Sequence, residues 1–170
     1  MPFDNEHICT IRLHKESMKF SAAHFTIFSA TERERLHGHN FQVQVDICAP
    51  TSDNGMLVNY QQLKKHARQC CKQLDEYLIL PELSPHLVIK SEDNHYQVTF
   101  NQETLLFSKF DTLLLPIRNT TVEEFSRYFL QQLLSIFRDQ LTLDIHKLAV
   151  HVSSAPGQSG SSEWIKTSAI

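Results

Sequence analysis

The stretch that decides the fold is Phe20–Val45, FSAAHFTIFSATERERLHGHNFQVQV. Apolar and polar residues alternate from His37 onward, which predicts a β-strand because successive side chains of a strand point to opposite faces. His37 and His39 then share the face of Phe41 and the apolar residues that follow it. We expect both histidines to point towards the apolar face of a sheet. Gly38, one of only four glycines, would let the backbone bend or pack closely between them.

A third histidine, His24, ends the preceding strand-like segment, on the face that also carries Met18, Phe20 and Ala22. Neutral imidazoles are common zinc ligands, and three of them leave the fourth tetrahedral position open for water or substrate. His24 can reach the other two only if its strand pairs with the strand that carries His37 and His39. From spacing alone, a zinc site and three hydrogen-bonded structural histidines near a sheet edge are equally good interpretations.

Composition indicates a globular enzyme or binding protein. The 170 residues are 41% hydrophobic and 21% charged, so we expect one domain over residues 1–170. The net charge is −3 and no run of lysine and arginine occurs, which argues against nucleic acid and anionic membranes as partners. The amino terminus is too polar for a signal peptide and no apolar run approaches the roughly 18 residues of a membrane span, so we expect a cytoplasmic protein with reduced cysteines.

The pattern of elements indicates an α+β fold. We predict a four-stranded antiparallel sheet with two helices on one face and an inserted hairpin or meander. Thr121 and Glu124 form a capping box at the start of the second helix. The predicted segments are strands at 8–14, 18–25, 40–48 and 147–154, helices at 59–80 and 119–140, three short strands within the insertion at 86–115, and a Gly/Ser-rich tail at 155–162.

Two motifs, FSAAHF and LHGHNFQVQV, resemble the 6-pyruvoyl-tetrahydropterin synthase and 6-carboxytetrahydropterin synthase family. Weaker matches at LDEYLILP, NTTVEEF and VHVSSAPGQS extend the resemblance over most of the chain. The resemblance implies that His24, His37 and His39 hold a catalytic Zn²⁺. It also implies the tunnelling fold, in which trimeric rings of paired sheets form a barrel, pterin sites lie between subunits, and two stacked rings give a homohexamer.

The sequence departs from the family pattern at the proton-transferring residues. A glutamate, Glu34, stands where most members have a cysteine, as in the branch with the pattern E-x-x-H-G-H. Asp75 is retained, but Glu76 replaces the histidine that relays protons. The alternative is that Glu34 belongs to a solvated charged loop and that Asp75 and Glu76 are exposed charges at the end of a helix.

The substrate contacts also differ from the family pattern. Ser154 stands where the family has a glutamate against the amino-pyrimidine edge of the pterin, and a serine supplies at most one neutral hydrogen bond there. Thr120 and Thr121 match a family segment that contacts pterin, although helix capping explains them equally well.

The resemblance implies a zinc-dependent lyase acting on dihydroneopterin triphosphate or a related dihydropterin. Glu34 would transfer protons with help from Asp75 while a carbon–oxygen or carbon–carbon bond breaks. If the glutamate branch is the right comparison, side-chain cleavage towards 6-hydroxymethyl-dihydropterin is the favoured reaction. The alternative is a divergent metal-binding member that has lost this activity and binds another heterocycle or a protein partner.

Overall fold

A computed structural model describes residues 7–167; residues 1–6, part of the amino terminus considered above, lie outside this range. Within it the chain forms nine strands and two helices. In chain order they are β1 Ile8–His24, β2 His37–Pro50, α1 Tyr60–Leu74, β3 Tyr77–Pro81, β4 Val88–Ser91, β5 His95–Phe100, β6 Glu103–Ser108, β7 Thr112–Leu115, α2 Val122–Asp139, β8 Lys147–Ala155 and β9 Gln158–Ile165. Neither helix is long and apolar enough to cross a membrane.

The main sheet has six strands in the order β7-β3-β1-β2-β8-β9. β1, β2, β8 and β9 pair in antiparallel fashion, whereas β3 runs parallel to β1 and to β7. The predicted four-stranded antiparallel sheet is therefore wrong, because two parallel strands extend it. The two strands predicted at 8–14 and 18–25 are one continuous strand with a register shift between His14 and Lys19.

The first helix is shorter than predicted. α1 ends at Leu74, and Glu76 adopts a positive φ of 67°, which turns the chain into β3. Leu78, Ile79 and Leu80 are buried. A short, continuously apolar run is typical of a strand covered on both faces, and periodicity alone does not separate it from the end of a buried helix.

The Gly/Ser-rich tail is an ordered strand. β9 forms a hairpin with β8, and Gly157 supplies the positive φ of 80° at the turn. Its alternating exposed and half-buried residues pack one side against α2.

Both helices cover the apolar face of the main sheet. β2 and β8 place Val43 opposite Val152 and Val45 opposite Val150, and these side chains join one core with residues of α1 and α2. The alternate residues of β2, such as Gln42 and Gln44, form the polar face. His37 and His39 have the same parity as Val43, so they lie on the apolar side at the end of the core.

The insertion is a meander with a small sheet of its own, in the order β4-β5-β6. Val98 and Phe100 of β5 are buried in a second apolar cluster, which also contains Phe25 and Ile27 from the loop after β1. The three predicted short strands correspond to β4, β5 and β6, whereas a fourth strand of the same segment, β7, joins the main sheet. The meander thus packs against the segment between the first and second histidines.

Candidate metal and substrate site

The strand register brings the three histidines together. In the β1–β2 pair His24 lies directly opposite His37, and Ala22 lies opposite His39. One ligand nitrogen from each histidine lies within 4.8 Å of the others. Within residues 7–167 this is the one group of three or more His, Cys, Asp or Glu side chains arranged to hold a metal ion.

His24 is oriented by the segment before α2. Its Nδ1 lies 2.9 Å from the carbonyl oxygen of Thr120, to which it donates a hydrogen bond. Its Nε2 is buried and has no hydrogen-bond partner, an arrangement that is costly unless another group binds this nitrogen. Burial, together with the neighbouring His37, lowers the pKa of His24 to about 4, so the ring is neutral at physiological pH.

His37 has the same kind of support. Its Nδ1 donates to the carbonyl oxygen of Arg35 at 2.8 Å, and its Nε2 faces the Nε2 of His39 at 3.1 Å. A backbone carbonyl on the far nitrogen is the usual outer support of a metal-binding histidine. The unpartnered nitrogen of His24 and the imidazole nitrogens of His37 and His39 therefore fit a metal of the zinc type.

Glu34 reaches this cluster from a tight hairpin in the loop after β1. Its amide donates to the Thr26 carbonyl oxygen at 2.8 Å, and its Oε2 accepts from the Thr26 amide at 2.9 Å. The same Oε2 lies 3.8 Å from Nε2 of His37. Burial alone would raise the pKa of Glu34, but the hydrogen bonds from Thr26 and the nearby histidines outweigh it and hold the pKa below its ordinary value. Glu34 is therefore an ionised carboxylate facing the histidines.

A cavity of about 240 Å³ opens beside the histidines and Glu34. Two carboxylates, Glu34 and Glu123, line it, as do Thr121, Ser154 and Gln158. Sequence reasoning missed Glu123 and Gln158. The signal for Glu123 was its place in the first turn of α2, two residues after the capping threonine. The signal for Gln158 was its place in the matched segment VHVSSAPGQS.

The two threonines have different environments. Thr120 is fully buried; its hydroxyl donates to the Phe25 carbonyl oxygen at 2.8 Å, so it positions His24 and Phe25 and presents no side-chain surface to a substrate. Thr121 caps α2, with its hydroxyl 3.4 Å from the Glu124 amide. The second half of the predicted capping box differs, because the Glu124 carboxylate accepts from the Arg118 amide at 2.6 Å.

Asp75 and Glu76 lie away from this cavity within their own chain. Asp75 Oδ1 accepts from the Ser21 amide at 2.7 Å. Glu76 lines a separate cleft that includes Ser21 and Asn40, whose side chains are on the polar face of the sheet. One chain therefore brings Glu34, Ser154 and the threonines to the histidine cavity, whereas Glu76 shares only the other cleft with His39, and Asp75 lines neither.

The glycine at which an added side chain would clash with its neighbours is Gly160 rather than Gly38. A Cβ at Gly38 would meet only the Ala22 carbonyl oxygen at 3.6 Å, an ordinary contact, so the expected close packing between the histidines is wrong. A Cβ at Gly160 would lie 2.9 Å from both the Glu123 nitrogen and the Val122 carbonyl carbon. Gly160 thus allows β9 to approach the amino terminus of α2, where the cavity residues Thr121 and Glu123 lie.

Solved structures with the same fold include three of Plasmodium enzymes. A 6-pyruvoyl tetrahydropterin synthase from Plasmodium vivax is 30% identical, with a TM-score of 0.86 and coverage of 94% of this chain and 99% of its own. A variant of the P. vivax enzyme with a catalytic glutamate replaced by alanine is 28% identical, with a TM-score of 0.88 over the same shares. The P. falciparum enzyme is 27% identical, with a TM-score of 0.85 over the same shares.

Sequence comparison points to the same family. A Methanocaldococcus jannaschii protein provisionally assigned as a 6-carboxy-5,6,7,8-tetrahydropterin synthase is 25% identical over 142 residues, which are 83% of this chain and 86% of its own. The family profile described as 6-pyruvoyl tetrahydropterin synthase matches residues 12–159. The chain therefore belongs to the 6-pyruvoyl tetrahydropterin synthase family, whose members are enzymes of pterin metabolism.

Proposed function

We propose that this protein is a zinc-dependent lyase that acts on dihydroneopterin triphosphate or a related dihydropterin. The observation that carries the proposal is a group of three histidine nitrogens within 4.8 Å of one another, beside a cavity that is lined by His24, His39 and an ionised carboxylate, Glu34. A metal ligand set beside a proton acceptor is the arrangement that bond cleavage next to a hydroxyl group requires.

His24, His37 and His39 would hold the zinc. Bound there, zinc would act as a Lewis acid towards oxygens of the pterin side chain. The carbonyl oxygens of Thr120 and Arg35 keep the rings of His24 and His37 in the orientation that directs their Nε2 atoms inward.

Glu123 is our candidate for the pterin anchor. A carboxylate that accepts hydrogen bonds from the amino-pyrimidine edge makes charge-assisted contacts, which are stronger than those of a neutral serine. Ser154 cannot supply this charge, but Glu123 lines the same cavity. A carboxylate from α2 would thus replace the one missing from β8, and Thr121 and Gln158 would add neutral contacts.

Glu34 would act as the general base. It would remove the proton from the side-chain hydroxyl on the second carbon, and the bond between the first and second carbons would then break. The electron pair of that bond passes into the imine of the dihydropterin ring, and protonation of the first carbon gives 6-hydroxymethyl-dihydropterin together with an aldehyde. The catalytic glutamate of the P. vivax relative supports this role for Glu34.

We further propose that the chain assembles into a homohexamer, a dimer of trimers. The main sheet is open, with β7 and β9 at its two edges, and open edges favour pairing with further copies. Assembly would also allow Asp75 and Glu76 to take part in proton transfer. They lie outside the histidine cavity of their own chain, and in an assembly they would act at the cavity of a neighbouring subunit. Light scattering on the purified protein tests the stoichiometry.

The direct test incubates zinc-loaded protein with dihydroneopterin triphosphate and separates the pterin products by chromatography. We expect 6-hydroxymethyl-dihydropterin from the wild type. Glu34→Gln should lower kcat by about 10²-fold or more, the usual effect of losing a general base. Glu32→Gln is the matched control, because Glu32 is an exposed carboxylate on the same loop.

Absence of any new pterin with the wild type would refute the lyase proposal. Pyruvoyl or carboxy products would keep the lyase but overturn the cleavage assigned to Glu34. For the anchor, Glu123→Gln should raise KM for the pterin about tenfold while zinc content stays the same, since charge-assisted hydrogen bonds contribute about 1.5–3 kcal/mol.

A further inference from the structure

The loop that carries Glu34 presents two different faces. Thr26 and Glu34 face the histidine cavity, whereas Phe25 and Ile27 are buried against the meander. This alternation is that of an extended strand pair, and Ile27 and Arg33 form an isolated antiparallel bridge within it. Arg33, next to Glu34, therefore projects to the side away from the cavity.

Arg33 is held by the meander. Its Nε and Nη2 lie 3.2 and 2.5 Å from Oε2 of Glu103, at the start of β6. Its guanidinium carbon lies 5.0 Å from the Phe25 ring centroid and 5.7 Å from that of Phe100. Only 16% of the Arg33 side chain is exposed, so these contacts are partly shielded from water, where ion pairs and cation–π contacts are stronger than at the surface.

The same guanidinium also bonds to the backbone of the loop that carries Glu34. Nη1 of Arg33 donates to the carbonyl oxygen of Glu34 at 2.8 Å. The Arg33 side chain thus connects the backbone of Glu34 to a carboxylate that lies 70 residues after Arg33 in the chain. The fork geometry of arginine allows both contacts at once, which a lysine cannot reproduce.

We propose that the meander is a positioning element for Glu34, and that Arg33 and Glu103 form the clamp through which it acts. The inference rests on the proposed function of Glu34, since positioning matters only where the carboxylate reacts. Neither clamp residue lines the cavity, so neither contacts the substrate. A base displaced by about 1 Å can lose about 10²-fold in rate, so loosening this loop should lower the rate of the chemical step.

The test compares Glu103→Gln with wild-type zinc-loaded protein. We expect kcat to fall about tenfold or more while KM stays within about twofold, because the chemical step is impaired and binding is not. Glu103→Asp, which keeps the carboxylate, should recover most of kcat, and Arg33→Lys should not. Glu163→Gln is the matched control: Glu163 also forms an ion pair, with Lys147, and its side chain is 54% exposed against 57% for Glu103.

Amide hydrogen exchange gives a second readout that does not depend on turnover. The Thr26 amide is bonded to the Glu34 carboxylate and the Glu34 amide to the Thr26 carbonyl. In Glu103→Gln both amides should exchange about tenfold faster than in the wild type, while zinc content and the exchange of β2 amides stay unchanged. Glu163→Gln should alter none of these quantities.

The outcomes separate the two proposals. If the wild type turns over no pterin, the proposed function fails, and faster exchange in Glu103→Gln still establishes the clamp. Unchanged exchange at Thr26 and Glu34 would overturn the clamp whatever the activity. A tenfold loss of kcat without faster exchange would also overturn it, because Glu103 would then act by another route.

Discussion

Replacing Gly160 with alanine should disturb both the stability and the substrate site of this protein. The added Cβ would lie 2.9 Å from backbone atoms of Val122 and Glu123, whereas ordinary contact begins at 3.4 Å. Backbone atoms cannot rotate away as a side chain can, so β9 and the first turn of α2 must separate by about 0.5 Å. Overpacking of this kind costs about 1–3 kcal/mol.

The first turn of α2, which this substitution would displace, contributes Glu123 to the lining of the cavity, and Thr121 lies directly before it. We therefore expect Gly160→Ala to lower the free energy of unfolding by about 1–3 kcal/mol and to raise KM for the pterin several-fold, with zinc content unchanged. Urea unfolding at equal protein concentrations measures the first effect, because any assembly of subunits makes stability depend on concentration.

Gly38→Ala is the matched control. It adds the same methyl group to the same sheet, between two zinc-binding candidates, yet its Cβ has only one neighbour, at an ordinary 3.6 Å. It should change the free energy of unfolding by less than about 0.5 kcal/mol, as surface substitutions usually do. Equal stability of Gly160→Ala and the wild type, or a larger loss in Gly38→Ala, would refute the reasoning.

Three further predictions use elemental analysis, pH and thiol chemistry. His37→Ala should abolish the one zinc per subunit that we expect, and His86→Ala, an exposed histidine, should not; equal zinc in both variants would exclude the three-histidine site. The hydrogen bond from Arg127 is the main cause that holds the pKa of Glu124 below its ordinary 4.5. A lowered carboxyl pKa stabilises the fold above pH 4.5, and this stabilisation is lost as the pH falls through the lowered pKa. Glu124→Gln should therefore have a lower Tm than the wild type at pH 7, and the two Tm values should converge in acid. Burial raises the pKa of Cys70 to about 11 and of Cys71 to about 12. Neither thiol should therefore react with a thiol reagent in the native protein at pH 8. Rapid labelling of either cysteine would contradict the buried environment.

The sequence by itself determined the apolar face and the grouping of the histidines. Strict alternation from His37 to Ile47 fixes which side chains share a face, because the period of a strand is two residues. The sequence made the approach of His24 depend on pairing between its strand and the strand of His37 and His39, and the structure meets this condition with His24 opposite His37. Glu34 could be singled out as a candidate catalytic residue because the motif places it three residues before His37.

Only the tertiary structure decided which strands form the edges of the sheet and which residues outside the histidine motif line or support the site. The run Leu78–Leu80 is compatible with a helix end or a strand, and its pairing with β1 and β7 settled the choice. The tail forms a hairpin with β8 and also packs Gly160 against α2, a contact between segments about 40 residues apart in sequence. Glu123 and Arg33 acquired their places by the same kind of long-range packing. The local sequence pattern predicts which face of each helix or strand is buried. Which helices and strands pack together depends on apolar surface that distant segments bury jointly, and a short window of sequence does not contain both segments.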